Sequence, residues 1–305
     1  GKIFFEPNKF FVDSLTGVIH QTPMTLSGFI QNFKDPLIDV NFSASNLDLE
    51  AWKNLLAQYI PDLGIEAKGI ATIKLKYKGK LKRLAGAKVD CKASLKDVAF
   101  KNKSMADGVS NLSGDINYVV THLNPGHFLP DQGSWNNLRF TFQDKSYILN
   151  GTLQFNNLST AIKRDDLSVN LVSKLFPDRL KILSLTGQYR KSQAAIEGEV
   201  FYPTKDQGPK FNVKLAGNVS LDDLPEIFPA LKEKIAAVSP QGLCVIDGLF
   251  AGDLQKWQDW VLALTLKSDQ LHFYGYELGQ VLLKYDQRDR FINNCSLSSS
   301  LYGGL

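Results

Sequence analysis

The chain is poor in the residues that build chemistry. Three cysteines, Cys91, Cys244 and Cys295, stand in 305 residues. None belongs to a CxxC pair, and an odd number cannot close a complete disulfide framework, so a disulfide scaffold is excluded. Cys91 lies in an alternating strand pattern and reads as a small buried residue. The four histidines, His20, His122, His127 and His272, are scattered. His122 and His127 flank a turn, but no nearby Cys or carboxylate set completes a metal site. Asp165-Asp166 follows Lys163-Arg164 and reads as a charged turn. Asp222-Asp223 lies at a predicted helix start, where the macrodipole favours it. Neither pair is joined by a nucleophile or base, so the sequence offers no catalytic constellation, no metal site and no cofactor site. The expectation is a protein that is not an enzyme.

Long apolar runs are also missing. No stretch reaches the roughly 18 residues needed to cross a bilayer as a helix, and no signal peptide is recognisable. The chain begins at Gly1 in mid-pattern and ends at Leu305 just after a strand-like run, which reads as an internal portion of something longer. Nor is there a Lys/Arg block: the net charge of +4 is spread along the chain. The densest basic run holds Lys74, Lys76, Lys78, Lys80, Lys82 and Arg83, alternating with apolar residues. Period two puts those lysines on one strand face. A solvated strand face with edge-protecting lysines is the ordinary reading, and contact with anionic lipid headgroups is the other. No recognition motif or aromatic pattern accompanies the charge, so nucleic acid is not an expected partner.

What the chain does have is alternation. Ala71, Ile73, Leu75 and Tyr77 share one face, opposite Thr72, Lys74, Lys76 and Lys78. Val89, Cys91, Ala93 and Leu95 oppose Asp90, Lys92, Ser94 and Lys96. Leu138, Phe140 and Phe142 do the same, and Tyr147, Leu149, Leu153 and Phe155 continue the theme. Leu167, Val169 and Leu171 follow, then Ala194, Ile196, Val200 and Tyr202, then Phe211, Val213 and Leu215, and later Leu262, Leu264 and Leu266. This is antiparallel sheet with one apolar face, repeated many times. Short turns such as Lys34-Asp35-Pro36 and Gly79-Lys80 suit hairpin connections. Ser113-Gly114, Gly151 and Gly198 interrupt strand patterns and mark bulges or bends.

The pattern also repeats itself at an offset of 173. Pro36 matches Pro209, Gly69 matches Gly242, Gly79 matches Gly252, and Phe100 matches Phe273. Asn46-Leu47-Asp48-Leu49 returns as Asn218-Val219-Ser220-Leu221, a signature read here as a strand exit. Each copy then predicts a helix. Asp48 caps Leu49 to Tyr59, with a stripe of Leu49, Trp52, Leu55, Leu56 and Tyr59 stopped by Pro61. Ser220 with Asp223 resembles a capping pair, with Pro225 tolerable in the first turn and Pro229 a break. Such helices would cover one end of the apolar face. The copies span 26–120 and 196–291, with middle strands over 134–195, inside one elongated unit over 1–305. Repeated sheet units grow along one axis and work as surfaces, grooves or spacers.

The aromatic residues sharpen this. The chain has 19 Phe against 4 Trp, many at alternate strand positions. A closed small barrel would hide them, while an open curved sheet would leave an apolar trough that needs a ligand or partner. Ile73, Leu75, Tyr77, Phe140, Phe142, Val213 and Leu215 are the candidates to line it. The fold class expected is all-β with a few short helices: an elongated, curved antiparallel groove, taco-like and internally repeated.

Several runs carry a family resemblance. They are Ser45-Asn46-Leu47-Asp48-Leu49 with its helix to Pro61, Gly69-Ile70-Ala71, the strand Lys74 to Gly79, and Leu81 to Leu84. Ala93-Ser94-Leu95-Lys96-Asp97-Val98-Ala99-Phe100 and Leu112-Ser113-Gly114-Asp115-Ile116 complete the first copy, and Asn218 to Phe273 looks like the same pattern again. Together they resemble the C-terminal region of AsmA-like proteins, which are similar to the repeating β-groove, bridge-like lipid-transfer class. The resemblance implies an N-terminal anchor in the inner membrane of a Gram-negative bacterium and a periplasmic location. It implies a groove in which phospholipid acyl chains slide toward the outer membrane, a role in cell-envelope maintenance and outer-membrane biogenesis, and envelope proteins as further partners. It implies no catalytic residues. Two alternatives stand beside it: a structural or adhesive β-solenoid that binds protein, and a lipid- or glycan-modifying enzyme on a β scaffold.

Overall fold

A computed structural model describes residues 1–56, 65–80, 86–102, 107–121, 131–203, 208–227, 232–253, 256–288 and 290–302. Tyr59, Pro61, the run Leu81 to Leu84 with Lys82 and Arg83, His122, His127 and Pro229 lie outside the described residues. The chain is all-β with a few short helices, and it divides into two compact units, Gly1–Asn156 and Asn157–Leu305. The division falls within the middle strands of the sequence pattern.

The first unit contains nine strands among the described residues: β1 Ile3–Glu6, β2 Lys9–Ile19, β3 Thr22–Gln31, β4 Leu37–Asp48, β5 Ile65–Lys80, β6 Lys88–Asn102, β7 Val109–Val120, β8 Gln132–Phe142 and β9 Lys145–Gln154. Each pairs antiparallel with the next in sequence, so the unit is a plain meander. The second unit follows the same rule through β10 Asn157–Arg164, β11 Leu167–Leu175, β12 Arg179–Tyr189, β13 Ser192–Phe201, β14 Lys210–Ser220, β15 Gln241–Asp253, β16 Val261–Phe273, β17 Tyr276–Arg288 and β18 Phe291–Tyr302. Among the described residues no ladder joins β1 to β9 or β10 to β18, so neither unit closes into a barrel. Tight connections follow from left-handed turn residues such as Gln143 and Asp144, with φ of 48° and 58°. Phe155 is one of these, at φ 53° and 70% exposed, so it belongs to a turn and not to the apolar face. Gly79 and Lys80 are not turn residues either, because both pair within β5, with Ile38 and Leu37 of β4.

The internal repeat keeps its register over the strand centres, although the bulge after Ala44 has no counterpart in β14. Ile73 pairs with Ala44 and Ala93, and its counterpart Ile246 pairs with Gly217 and Leu266, each partner displaced by 173. Leu75–Cys91 corresponds to Gly248–Leu264, and Tyr77–Val89 to Phe250–Leu262, at the same offset. The buried positions recur too: Ala71 and Val98 match Cys244 and Leu271, all within 7% exposure.

Bulges interrupt nearly every ladder of the first unit, and Asn or Asp in the left-handed region marks four of them: Asn46, Asp97, Asn111 and Asn137. These side chains tolerate positive φ, and each is followed by an apolar residue that the bulge turns onto the inner face. Leu47, Val98 and Leu138 are buried in this way. The signature does end a strand in both copies, β4 at Asp48 and β14 at Ser220; in the first copy Asn46 adds a bulge just before that end, and the similar Asn111 lies inside β7.

The helices sit where the sequence places them. The described part of α1, Leu49–Leu56, is capped by Asp48, whose Oδ1 accepts from the backbone N–H of Glu50 at 2.9 Å and Ala51 at 3.1 Å. Leu49 and Trp52 pack on the buried cluster of Ala44, Leu47 and Ala71. The Trp52 indole N–H also donates to the hydroxyl of Thr22 at 3.3 Å. In the second unit a 3-10 turn over Leu221–Asp223 leads into α2 Leu224–Ile227, and α3 Lys232–Val238 follows. Leu221 packs on Cys244, Leu271 and Val281. The expected capping pair of Ser220 with Asp223 is not formed. Ser220 makes no cap bond, and its hydroxyl donates to Asp222 at 3.1 Å. The Asp223 carboxylate accepts instead from Ser192 on β13 at 2.7 Å, and Ser192 Oγ accepts from the backbone N–H of Ser220 at 3.0 Å. That buried trio ties the helical segment to the sheet and satisfies the carboxylate, which a lone cap would leave to solvent.

Gly69 and Gly242 show why the repeat needs glycine. Their φ values are +110° and +120°, and a Cβ on either would lie 2.6 Å from a carbonyl oxygen of the next strand, Asp97 or Gln270. Gly187, by contrast, has open space where a Cβ would go. Gly69→Ala and Gly242→Ala are each expected to cost about 2 kcal/mol or more. Gly187→Ala should be neutral or stabilising by up to about 1 kcal/mol. Urea titrations of the three variants check this, and equal midpoints would show that the close approach is not needed.

Candidate functional site

The feature with functional content is the apolar face of each sheet. Residues directly paired across strands share a face, so the registers define it. In the first unit one row runs Leu15, Leu26, Phe42, Leu75, Cys91, Tyr118 across β2 to β7. The adjacent row runs Met24, Ala44, Ile73, Ala93, Ile116, Trp135 across β3 to β8. Tyr77, between Val40 and Val89, extends the same face. Phe140 and Phe142 lie on it as well. Phe140 stacks on Tyr147 with ring centroids 5.4 Å apart. Trp135 and Leu138 share the face although they are three residues apart, because the bulge between them restores the alternation. Gly151 lies across from Trp135, and a Cβ there would meet the indole ring at 2.4 Å.

In the second unit the corresponding row is Leu171, Leu185, Ile196, Leu215, Gly248, Leu264, Tyr285, Cys295 across β11 to β18. Val213 lies in the next row, between Gly198 and Phe250. Phe211 follows, with its ring edge-on to Trp260 at 5.2 Å. Five of the sequence candidates therefore lie on the first unit's apolar face, and Val213 and Leu215 on the second's. Alternation did not point to Trp135 or the glycine positions, because a bulge breaks period two and a glycine has no side chain to read.

These faces have little above them. Ile73, Leu75, Tyr77, Phe140, Phe142, Val213 and Leu215 are all half-buried, sheltered by their lateral neighbours. α1 covers only the end around Ala44, Leu47 and Ala71. The opposite face of the first unit is mostly polar over β4 to β8. The row that alternates with the first unit's apolar rows is Thr16, Thr25, Ser43, Lys74, Lys92, Asn117, Ser134. The first unit is thus an amphipathic layer over these strands, whereas the reverse face of the second unit mixes Lys214 and Asp247 with Leu249 and Ala263; a half-buried apolar face of this extent is the kind that marks an interaction site.

Among the described residues no three His, Cys, Asp or Glu side chains converge on a metal-sized site. Asp166 has its pKa lowered, first by the hydrogen bond it accepts from Arg164 and then by the nearby Arg164 and Arg190 charges, with burial opposing. It sits in the β10–β11 turn, as the charged-turn reading expected, and the arginines account for it structurally. His272 stands 3.7 Å from Glu277 on an exposed hairpin. No helix of the described residues is long and apolar enough to cross a membrane.

The cysteines report on these faces. Cys91 is half-buried, not buried as its pattern suggests, because no second layer covers its row. Burial raises its thiol pKa, and the adjacent Asp90 charge adds to this. Cys244 is fully buried, and burial raises its pKa too. Cys295 is exposed. At pH 8 an aromatic disulfide reagent should titrate Cys295 fast, Cys91 more slowly and Cys244 only on unfolding, since the thiolate is the reactive form. Three equally fast thiols would contradict this arrangement.

No family model matches the chain, and no curated protein or solved structure matches it either.

Proposed function

We propose that the apolar face of each unit holds the acyl chains of phospholipids and lets them slide, so that the protein works in lipid transport between the membranes of a bacterial envelope and not as an enzyme. One observation carries this reading: an apolar surface continuous over successive strands, with no layer above most of it among the described residues. Strands about 4.8 Å apart make eight of them about 34 Å across, far more than the isolated apolar patches a monomer ordinarily exposes. An acyl chain laid on such a face gains about 0.8 kcal/mol for each CH₂ it buries. The gain has no direction and changes little as the chain shifts along the rows, which is what sliding requires. The resemblance to AsmA-like proteins supports the same reading, and with it a periplasmic location, an inner-membrane anchor elsewhere in the protein and transit toward the outer membrane.

The decisive measurement is lipid occupancy. Native mass spectrometry of the purified chain should find bound phospholipid, and photo-crosslinkers at Leu75 and Val213 should capture it. Leu75→Asp and Val213→Asp place a carboxylate on faces that water reaches when no lipid is bound, so the fold should survive at a cost of about 1 kcal/mol. Ala71→Asp, under α1, should cost about 3 kcal/mol or more. Lipid capture should fall with the first two substitutions in protein that still melts cooperatively. Absence of lipid at both positions in the wild type, with unfolding by Leu75→Asp, would favour a structural or adhesive sheet that binds protein.

A further inference from the structure

The polar face of the first unit carries a charge pattern that the fold does not require. Lys74, Lys76, Lys78 and Lys80 alternate along β5, opposite Ile73, Leu75 and Tyr77. On β6, Lys92 stands directly across from Lys74, and Lys88 directly across from Lys78. All six are exposed. Like charges directly opposed on one sheet face are destabilising. Counter-charges are fewer than the lysines. Asp39 pairs with Lys78 at 3.1 Å, Asp35 pairs with Lys80, and Asp90 stands across from Lys76. Lys74, Lys76, Lys88 and Lys92 form no ion pair or hydrogen bond among the described residues.

Two ordinary explanations fail. Lysine protects exposed sheet edges, but β5 lies between β4 and β6, and β6 between β5 and β7. The edge-protecting part of the ordinary reading is therefore overturned for the described lysines of the run, while its solvated strand face stands, since all of them are exposed. Nor does the repeat need the charge. In the same register the second unit has Asp247, Leu249, Ala251 and Asp253 at the places of the four β5 lysines, and Val261 and Thr265 at those of Lys88 and Lys92. An equivalent ladder forms there without a lysine at any of the six positions.

We propose that this lysine face docks on an anionic bilayer surface, through phosphate-bearing headgroups presented side by side. The strand geometry sets amines about 6.7 Å apart along β5 and about 4.8 Å apart between strands, a two-dimensional array. Its neighbours on the same face of β4 and β7 include Asn41, Ser43, Asn117 and Val119, with no aromatic among them. Aromatic rings lie on this face only further off, where the row of Lys78 and Asp39 continues to Phe29 of β3, Phe11 of β2 and Phe4 of β1; Phe29 is covered by Lys9, and Phe4 packs on Phe11 with ring centroids 5.9 Å apart. Protein interfaces draw their energy from buried aromatic or Arg anchors, and single-stranded nucleic acid needs rings to stack on. An array of amines on β5 and β6, with no ring among the strands beside them, suits a fluid plane of anions, to which each lysine adds a modest, additive and salt-screened gain. The inference concerns the face opposite the apolar one and does not rest on what that face carries.

Vesicle sedimentation tests it, with phosphatidylcholine vesicles made with and without phosphatidylglycerol. The wild type should bind the anionic vesicles only, and added salt should release it. Replacing Lys74, Lys76, Lys88 and Lys92 together by Thr, a good strand former, should lower the partition coefficient about 100-fold or more. Replacing Lys181, Lys214, Lys267 and Lys284 of the second unit by Thr removes the same net charge and should cost less than about tenfold. Lys74→Gln with Lys92→Gln removes one repulsive pair with the least change to the strand, and should weaken binding about tenfold or more even if the quadruple variant fails to fold. Crosslinking of lipid at Leu75 should be unchanged in these variants, which separates this test from that of the apolar face. Binding to neutral vesicles alone, equal losses from the two quadruple variants, or capture of polyglutamate or single-stranded DNA in place of anionic vesicles would each overturn the proposal.

Discussion

Every other property of this protein depends on its nearest-neighbour antiparallel ladder. Each strand satisfies its backbone groups with the strand before it and the strand after it, so each unit is a one-layer meander. A single layer settles the hydrogen bonds but not the hydrophobic face. In most domains a second sheet or a layer of helices would cover that face. Here only α1 in the first unit, and the segment beginning at Leu221 in the second, reach across one end. Most of the stabilisation must therefore come from backbone pairing and from lateral packing of side chains along rows such as Phe42, Leu75 and Cys91. Such packing leaves apolar residues half-buried, which is what the faces show.

The bulges and the glycines belong to the same constraint. Strands of 10 to 16 residues in a twisting sheet must absorb the mismatch between neighbours. The first unit does so with Asn or Asp in the left-handed region, each turning the next apolar residue inward. Gly69 and Gly242 allow the adjacent strand's carbonyl to approach where a side chain could not fit. These positions also bring the buried residues together under the helical segments. The device that relieves strain is thus the one that builds the small covered core, and it leaves the rest of each face open.

The two faces of the first unit ask for different chemistry. One presents rows of Leu, Phe, Ile and Tyr and suits a ligand held without direction. The other presents amines on interior strands, where the fold gains nothing from them. Their separation follows from period two: within β5 a residue on one face places its neighbour on the other, so Ile73, Leu75 and Tyr77 alternate with Lys74, Lys76 and Lys78 without interfering. The same alternation lets the second unit keep the apolar rows while carrying none of those lysines.

Alternation and the offset of 173 were enough to read the fold class, the repeat, the placement of α1 after Asp48 and the membership of Ile73, Leu75, Tyr77, Phe140, Phe142, Val213 and Leu215 in apolar faces. Those properties are local, because the side-chain period and the capping residue depend only on nearby positions. Phe155 misled the reading because a hairpin turn interrupts period two without changing composition. Trp135 was missed because the bulge beside it does so too. The bulge at Asn46 was not legible because an Asn at positive φ has the same sequence signature in a bulge as at a strand end. Ser220 and Asp223 were misread because a long-range partner, Ser192 of β13, took the carboxylate. Whether the apolar face would be covered, and whether the lysines stood on an edge or inside the sheet, was decided by tertiary structure alone. Both depend on which strands lie alongside and above, and neither neighbour is written in the strand itself.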